Sequence, residues 1–460
     1  MPLPPGPSEH SAIQTARWLL RPISFMESCR RRFGDAFSVT FLGFQTPMVM
    51  LSDPAAIQAL YTNPKHALPP GRSIALLPIM GARSVLLLEG ADHLARRKVM
   101  LPPFHGERMQ AYEDTVREIA VREIESWAPG AELSLHPRMQ AITLEVILRA
   151  VFGVTDEERR ERLRKLLPQL LDRTSSVSLQ FRVLLSRRFD RLDPLGFVRE
   201  LSAEIDELLF AEIAERRAEI RASEDARTDI LSLLAQTKFE DGGGMSDQEL
   251  RDQLVTLLLA GHETTATALA WTADLLTRTP QVMQRLTDEV DAGEDDAYLR
   301  ATISESLRLR PVVPLAGRRL TSDLQVNGRT LPAGTDVTPA IWLTHTRADL
   351  YPEPFAFRPE RFLDERPATY GWVPFGGGVR RCLGAAFAEF EMRVVLTEML
   401  RRRTLDAVSS HAEHVTRRNV TFSPLHGTRV VTRARSARSE IRTDVQKRSA
   451  GAPPVGTPAA

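Results

Sequence analysis

The feature that most constrains the fold is a cysteine turn at residues 375–384, which read Phe-Gly-Gly-Gly-Val-Arg-Arg-Cys-Leu-Gly. A helical pattern follows directly, from Ala385 to Arg402. Backbone amides at the start of a helix favour negative charge, so the sequence predicts that Cys382 is a thiolate. The glycines keep side chains away from this sulfur and leave room for a flat ligand. A thiolate in this setting suits iron better than a disulfide. The alternative is a glycine-rich loop that contains a cysteine by chance.

Composition places the chain among ordinary globular proteins. Of its 460 residues, 43% are hydrophobic and 26% are charged, and a net charge of +1 gives no whole-molecule reason to bind nucleic acid. Cys29 and Cys382 are its two cysteines, too few for a disulfide framework, so we expect a reducing cytoplasm and a packing role for Cys29. No run approaches the ~18 apolar residues of a membrane span, and the N-terminus resembles neither a signal peptide nor an anchor. The sequence therefore predicts a soluble protein, with a disordered tail over residues 435–460.

The spacing of apolar residues predicts a mainly helical fold with a smaller β part. Alternation over residues 36–51 indicates an early β region, and residues 324–337 indicate a second one. The second region contains an Asn-Gly pair at 327–328, a strong signal for a hairpin turn. Residues 107–224 are mostly helical in pattern, with predicted breaks that include Pro137. Because strands come from both halves of the chain, we expect one cooperative unit.

A long central helix is predicted between residues 246 and 278. Ser246-Asp-Gln-Glu249 has the form of a capping box, and Pro280 follows the last helical residue. At ~1.5 Å per residue this helix is about 50 Å long, enough to cross a whole domain. Small or hydroxyl-bearing residues recur at every fourth position on one face, namely Thr256, Ala260, Thr264 and Ala268. Such a face permits the close approach of a ligand, or of another helix in tight packing.

The middle of this helix carries an acid next to a hydroxyl. Glu263 is expected to be buried, and a buried carboxylate needs either a partner or a task in proton transfer. The neighbouring Thr264 hydroxyl can donate to the carbonyl of Ala260, which would loosen the helix locally and open a niche for a small ligand. His262 lies away from the small face, and we interpret it as a packed side chain.

Together these motifs resemble those of the cytochrome P450 family of heme-thiolate monooxygenases, over nearly the whole chain. The family's heme-binding signature is filled by Phe375, Gly378, Arg380, Cys382 and Gly384. Its oxygen-activation motif is filled by Ala260, Gly261, Glu263 and Thr264. Its Glu-x-x-Arg motif is filled by Glu305 and Arg308, and Arg361 is the arginine that joins them. The resemblance implies a single cytochrome P450 heme domain over residues 1–434, with the long central helix over heme and the cysteine loop beneath it.

The resemblance also implies roles for individual residues. Cys382 would be the axial ligand of the iron in heme b, while Thr264 would steady bound oxygen and Glu263 would help to relay protons. The heme propionates would be held by His93, Arg97, Arg318 and Arg380. Glu305, Arg308 and Arg361 can form an ion-pair network that supports heme binding, although a solvated surface pair is the usual fate of such residues.

The implied activity inserts one oxygen atom from O2 into a C–H or C=C bond of a lipophilic small molecule, such as a fatty acid, terpenoid, steroid or polyketide. Electrons would come from NAD(P)H through a ferredoxin or flavodoxin and its reductase, and we expect a monomer without a membrane anchor. Basic residues near the cysteine side offer a docking surface, or are simply solvated: Arg96, Lys98, Arg381, Arg393 and residues 401–403.

The substrate pocket is expected to be apolar, with a roof from residues 67–88 and 176–197 and a wall from residues 312–315. Arg72 or Arg83 offers a cation for a substrate carboxylate. Three other functions stay open: a peroxygenase that uses hydrogen peroxide, an isomerase or dehydratase without a redox partner, and a non-catalytic heme-thiolate sensor or carrier. The Glu263-Thr264 pair argues against the peroxygenase, and Thr264 argues against the isomerase or dehydratase. No output module of a sensor is visible in the sequence.

Overall fold

The structure, a computed structural model, describes residues 3–44, 46–63, 77–175, 196–222, 227–364, 367–418 and 420–435. Its helices are α1 (Ser11–Leu20), α2 (Pro22–Phe33), α3 (Pro54–Thr62), α4 (Leu77–Met80), α5 (Gly90–Met100), α6 (Glu113–Glu125), α7 (Leu135–Val146), α8 (Glu157–Ser175), α9 (Gly196–Ala222), α10 (Ile230–Gln236), α11 (Asp247–Thr277), α12 (Pro280–Ala292), α13 (Ala297–Leu309), α14 (Ile341–His345), α15 (Arg361–Asp364) and α16 (Ala385–Arg402). Its strands are β1 (Ala36–Val39), β2 (Met48–Leu51), β3 (Glu132–Ser134), β4 (Arg318–Arg319), β5 (Leu324–Val326), β6 (Arg329–Leu331), β7 (Asp336–Pro339), β8 (Arg403–Ala407), β9 (Val415–Arg418), β10 (Thr421–Pro424) and β11 (Arg429–Ala434). The fold is mainly α with a smaller β part, as predicted.

The strands join distant parts of the chain. In the four-stranded sheet the order is β1-β2-β7-β4, and β2 from the first β region runs parallel to β7 from the second. A three-stranded sheet has the order β3-β11-β8, and β5–β6 and β9–β10 are hairpins. The β5–β6 hairpin turns at Asn327 (φ 48°) and Gly328 (φ 73°), the two positive φ values that a type I′ turn requires. Both predicted β regions are therefore confirmed.

Local capping signals set several helix ends. The side chain of Ser246 accepts a hydrogen bond of 3.2 Å from the Glu249 amide, and α11 begins at Asp247, as the capping box predicts. Pro137 does not break the helical region, because it lies in the first turn of α7. An amide in that turn would have no intrahelical acceptor, so a proline costs little there. The predicted break at Pro137 is wrong.

The central helix α11 crosses the middle of the protein and packs along α7. A Cβ atom added to Gly261 would lie 3.4 Å from the Ile147 side chain, an ordinary contact distance, so the residue just after α7 touches α11 here without requiring a glycine. On another side, the indole of Trp271 donates a 2.8 Å hydrogen bond to the Phe422 carbonyl, which ties the β9–β10 hairpin to α11. None of the helices in the described ranges combines the length and the apolar composition needed to span a bilayer.

Glu391 on α16 is an unusual member of this core. Its side chain is buried, and its Oε1 atom has no hydrogen-bond partner within the described part of the chain. Burial raises the pKa of Glu391 from 4.5 to about 8. The carboxyl group is therefore protonated at neutral pH, which spares the core an unpaired charge.

We expect Glu391→Gln to remove a pH dependence of stability. Because the pKa is raised to about 8, the folded protein holds a proton that the unfolded chain releases above 4.5. The stabilisation is complete below the unfolded pKa, and the free energy of unfolding falls by about 1.4 kcal/mol per pH unit as pH rises toward the folded pKa. The glutamine variant should lack this decrease, which denaturant unfolding between about pH 6 and 8 would measure.

A matched control lies two turns along the same helix. Glu398 is also buried, but it forms ion pairs with Arg402 and, at 3.3 Å, with Arg117. Glu398→Gln should therefore destabilise the protein at every pH of the series, whereas Glu391→Gln should gain relative stability only as pH rises. Identical pH profiles for wild type and Glu391→Gln would show that Glu391 does not titrate as proposed.

Candidate active site

The cysteine turn is pressed against α3. A Cβ atom on Gly378, whose φ is +65°, would lie 2.2 Å from the Tyr61 carbonyl oxygen, and one on Gly377 would lie 2.5 Å from the Tyr61 ring. These two glycines are therefore required by packing. At Gly384, by contrast, an added Cβ would meet nothing within 4 Å. The turn is closed by a 2.9 Å hydrogen bond from the Cys382 amide to the Phe375 carbonyl.

The surroundings of Cys382 act against a charge on its sulfur. Its side chain has accessible surface, yet the surrounding protein desolvates the thiol. Burial raises the pKa of the Cys382 thiol, and the Gly384 amide, Arg381 and Arg97 oppose that shift only in part. Desolvation therefore opposes the charge that the helix start favours, and the thiolate form of Cys382 stays a prediction. A metal ion bound to the sulfur would supply the missing stabilisation of the anion.

Cations converge near this turn with unused donors. His93 and Arg97 come from α5, Arg318 from β4, and Arg380 from the turn itself. Three of these side chains each have a buried nitrogen without a hydrogen-bond partner in the described chain: Nδ1 of His93, Nε of Arg318 and Nε of Arg380. Such orphaned donors are costly in a folded protein and indicate an acceptor that binds there.

The pKa values of His93 and Arg380 are lowered by burial and by the neighbouring arginines, so His93 is neutral among three charged side chains. Burial lowers the pKa of His93 to about 4, and Arg380, Arg97 and Arg318 lower it further. Burial, then Arg318 and Arg97, lower the pKa of Arg380 to about 10, and Glu89 offsets part of this effect. A ligand with two carboxylates would relieve this mutual repulsion and accept from the orphaned nitrogens. The two propionates of heme match that requirement, so the residues present fit heme.

The central helix opens on one face only. Most residues before and after the centre of α11 are buried. At the centre, Ala260 is exposed and Thr264 is half-buried. The Thr264 hydroxyl donates to the Ala260 carbonyl at 2.5 Å, which confirms the predicted bond. Of the stripe of small residues, Ala260 and Thr264 therefore face open space, whereas Thr256 and Ala268 are buried.

Glu263 lies in a polar network behind this open face. Its carboxylate accepts a 2.6 Å hydrogen bond from Gln140 and lies 3.4 Å from His136, both on α7, and 3.7 Å from Arg418 on β9. Burial acts to raise the pKa of Glu263, but the hydrogen bond with His136 and the charges of His136 and Arg418 prevail and lower it. Glu263 is therefore a paired, ionised carboxylate. His262 is packed and hydrogen-bonded to Thr143 at 2.9 Å, as predicted.

Glu305, Arg308 and Arg361, which we call the charged trio, form a buried network. Arg308 donates to both carboxylate oxygens of Glu305, at 2.6 and 2.8 Å, and both side chains are 0% exposed. Arg361 donates to the same carboxylate at 3.1 Å. The remaining donors of Arg308 reach the carbonyls of His345 (2.8 Å) and Pro354 (2.7 Å). The alternative of a solvated surface pair is therefore wrong.

Comparison with known proteins agrees with this geometry. The family model for cytochrome P450 matches residues 4–424. The chain belongs to the cytochrome P450 family. It is therefore a heme-thiolate monooxygenase, and the family implies a heme cofactor, a redox partner and a lipophilic substrate. The residue roles proposed for heme binding stay predictions.

Relatives of similar length exist in mycobacteria. Cytochrome P450 135B1 of Mycobacterium tuberculosis is 41% identical over 443 residues, which cover 94% of this chain and 92% of the relative. Cytochrome P450 135A1 of the same species is 37% identical over 429 residues, with coverages of 92% and 94%. Among solved structures, cyanobacterial CYP120A1 with bound retinoic acid matches with a TM-score of 0.80, over 95% of this chain and 100% of that chain. Its 24% identity supports a shared fold alone.

His345 is a residue of this cytochrome P450 that the sequence interpretation missed. It is fully buried at the end of α14, and burial lowers its pKa to about 3, so its ring is neutral. Its Nδ1 lies 3.1 Å from the Arg308 carbonyl, and its Nε2 accepts from the Val373 amide at 2.9 Å. Val373 is two residues before Phe375. His345 therefore links the charged trio to the cysteine turn through two hydrogen bonds that no local sequence motif predicts.

The predicted basic docking surface is largely neutralised within the molecule. Lys98 pairs with Glu240 at 2.6 Å, and Arg96 with Glu249 at 2.7 Å. Arg393 pairs with Asp296, Arg401 and Arg402 pair with Glu398, and Arg403 is buried against backbone carbonyls. Arg381 is exposed and faces the Phe375 ring. These residues therefore do not form a broad positive patch on the surface.

Parts of the predicted pocket lie outside the described residues. These are positions 67–76 and 176–195, including Arg72. Of the other pocket candidates, Arg83 is exposed, Val312 is buried, and Val313 and Leu315 are partly exposed. The predicted tail from residue 436 onward also lies outside the described residues.

Proposed function

We propose that this cytochrome P450 binds heme b through Cys382 and oxygenates a C–H or C=C bond of a lipophilic small molecule. The observation that carries the proposal is the convergence of an accessible cysteine with cations whose buried donors have no acceptor. His93, Arg97, Arg318 and Arg380 would hold the propionates. Bound heme with a thiolate ligand supplies the oxygen chemistry, since electron donation from sulfur favours O–O cleavage.

The open face of α11 would be the distal side of the site. Ala260 leaves room there for a diatomic ligand, and Thr264 supplies a hydroxyl. The Thr264 hydroxyl donates its proton to the Ala260 carbonyl. Its oxygen is therefore free to accept a hydrogen bond from a protonated group on the open side. Thr264 Oγ1 would thereby act as a hydrogen-bond acceptor on the open side of α11.

Glu263 would help to deliver protons from behind Thr264. Its contacts with His136, Gln140 and Arg418 keep the Glu263 carboxylate ionised. It can therefore accept a proton only when one of these side chains moves away or gives it that proton. The Nε2 atom of His136 lies 3.4 Å from the carboxylate, close enough to exchange a proton with it. The relay we propose therefore runs from His136 to Glu263, on the side of α11 that faces α7.

We propose a hydrophobic substrate, in the class of fatty acids, terpenoids, steroids or polyketides. Val313 and Leu315 are apolar and partly exposed after the end of α13, which supports an apolar pocket wall. The fold neighbour CYP120A1 carries retinoic acid, a lipophilic compound of comparable character. We propose a ferredoxin or flavodoxin with its reductase as the electron source from NAD(P)H.

Thr264→Ala tests the role of the distal hydroxyl. We expect the variant to consume NAD(P)H while forming peroxide or water, so that product per reductant falls at least about tenfold, since an acid–base group typically contributes about 10²–10⁴-fold to a rate. Substrates would be chosen from a lipophilic panel by the shift of the heme spectrum. Thr265→Ala is the matched control, since Thr265 is buried on the adjacent face. Unchanged product per reductant in Thr264→Ala would contradict this role.

Reconstitution separates the monooxygenase from its alternatives. With ferredoxin, reductase and reduced nicotinamide, a monooxygenase forms oxygenated product and forms none with hydrogen peroxide alone. Product with peroxide alone would instead indicate a peroxygenase. Binding without turnover under both conditions would favour a sensor or carrier.

A further inference from the structure

Arg417 and Arg418 are neighbours on β9 with opposite surroundings. Arg418 forms an ion pair with Asp172 and lies 3.7 Å from the Glu263 carboxylate. Arg417 forms no ion pair and no side-chain hydrogen bond with any residue that the structure describes. It is nevertheless only partly exposed. Arg417 is therefore a cation that the protein shields from water without giving it a counterion.

The alternation of side chains along β9 explains this difference. Successive residues of a strand point to opposite faces, so Arg417 shares its face with Val415 and not with Arg418. In the hairpin register, Arg417 lies opposite Phe422 on β10. The face that carries Arg418 meets Glu263 on the polar side of α11. Arg417 is thus on the other face of the hairpin, away from that network.

The face that carries Arg417 packs beside the proposed pocket wall. Phe422 is buried against Trp18, with the ring centroids 5.9 Å apart. Leu315, a residue of the pocket wall, packs against the same apolar cluster. The Phe422 amide also donates a 2.7 Å hydrogen bond to the Val312 carbonyl. The hairpin therefore joins the unpaired cation to the wall of the pocket.

Apolar side chains with exposed surface lie close to Arg417 along the chain and across this contact. Val420, three residues after Arg417 and just before β10, is 54% exposed. Val313 and Leu315 on the wall are partly exposed. Apolar surface next to a single shielded cation favours a ligand with a hydrophobic body and one anionic group.

The desolvation of Arg417 has a cost that a bound anion would offset. Burial lowers the pKa of Arg417, and no charge of the described chain acts against this effect. A shielded cation without a partner costs free energy in the folded protein. A carboxylate that binds to it forms charge-assisted hydrogen bonds, and the planar guanidinium can donate to both of its oxygens. Arg417 is therefore suited to a ligand that brings its own carboxylate.

We propose that Arg417 binds the carboxylate of the substrate, and that the substrate is a lipophilic carboxylic acid. This inference rests on the proposed function for the location of the pocket, and it narrows the substrate class. Fatty acids and acidic terpenoids meet the requirement, whereas neutral steroids do not. Arg83 is the cation in the described chain that the sequence offered for the same role, but it is exposed, so water already solvates it.

Matched pairs of ligands test the carboxylate contact directly. A panel of fatty acids and terpenoid acids would be compared with the methyl ester of each acid, which keeps the hydrophobic body and lacks the charge. Binding to the purified holoenzyme would be measured by the shift of the heme spectrum and by calorimetry. We expect wild type to bind at least one acid of the panel more tightly than its ester. In Arg417→Gln the ratio of the ester to the acid dissociation constant should fall at least about tenfold, as expected for the loss of one charged hydrogen-bonded contact.

Three further observations separate a binding role from a structural one. Arg83→Gln, the matched control, makes the same change at an exposed arginine and should keep the wild-type ratio. Arg417→Lys keeps the charge without the planar fork and should restore part of the preference for the acid. Arg417→Gln should unfold at the same denaturant concentration as wild type or at a higher one, because it removes an unpaired charge. An arginine with a purely structural role would instead lower that concentration.

The proposal is overturned if wild type prefers no acid of the panel to its ester, or if the preference survives in Arg417→Gln. An equal loss of the preference in Arg83→Gln would also overturn it. The reduced carbon-monoxide spectrum distinguishes these results from a failure of the heme site. An enzyme with the red-shifted band of a heme thiolate but no preference for acids contradicts the role of Arg417 alone. An enzyme without that band contradicts the proposed function, and calorimetry with the same ligand pairs then still tests Arg417.

Discussion

Replacement of Cys382 with serine is expected to abolish the red-shifted absorption band that the reduced enzyme forms with carbon monoxide. That band requires a thiolate on the heme iron, which a serine cannot supply. The fold should survive, because the turn is closed by the backbone bond from the Cys382 amide to the Phe375 carbonyl, which serine retains. The reduced carbon-monoxide difference spectrum and the heme content would be measured together with circular dichroism.

Cys29→Ser is the control with the same atomic change. Cys29 is buried in the N-terminal core, and burial raises its pKa to about 11, so it is an inert thiol. A hydroxyl buried there without a partner costs about 1–3 kcal/mol of stability, but the carbon-monoxide band should remain. A Cys382→Ser protein that kept the band would contradict the assignment of the axial ligand, whatever its stability.

Features with a local cause could be predicted from the sequence. The Ser246 cap, the Asn327-Gly328 turn and the Glu305–Arg308 pair each depend on residues within four positions of one another. Hydrogen-bonding groups at such spacing meet whatever the rest of the chain does. The resemblance then supplied Arg361, which no spacing rule connects with Glu305.

Features that depend on an opposing element could not be predicted. The spacing on α11 indicated that Glu263 would be buried, but its partners come from α7 and β9, more than 100 positions away. The same limit applies to Lys98, whose carboxylate partner Glu240 lies 142 positions along the chain. Charge on one helix face says little about binding until the neighbouring element is known.

The protonation of Cys382 illustrates a balance of two opposed effects. The helix start and the nearby arginines favour the anion, and both are visible in the sequence. Desolvation favours the thiol, and its size depends on how completely other elements surround the sulfur. Only the fold determines which effect is larger. The motif can therefore predict that Cys382 is a ligand without predicting whether its sulfur is charged.

Glu305→Gln is expected to destabilise the protein severely and to reduce its heme content. The substitution leaves the charge of Arg308 in a fully buried site, where both partners are 0% exposed. Removing one partner of such a pair costs about 3–5 kcal/mol, a large share of the about 5–15 kcal/mol that stabilises a typical protein. Denaturant unfolding and the heme absorption of the purified variant would measure the two effects.

Two further variants separate charge balance from positioning. Glu360→Gln, at a partly exposed neighbour of Arg361, keeps an oxygen that can accept from Tyr298 and should change stability by no more than about 0.5 kcal/mol. Replacing Glu305 and Arg308 together with methionine removes both charges, and apolar replacement of a buried pair often restores stability. We expect the double variant to regain stability but not heme, because the carbonyls of His345 and Pro354 lose the guanidinium that holds their loop near the cysteine turn. Recovery of both properties would show that the network only balances charge, and a wild-type unfolding curve for Glu305→Gln would contradict its structural role.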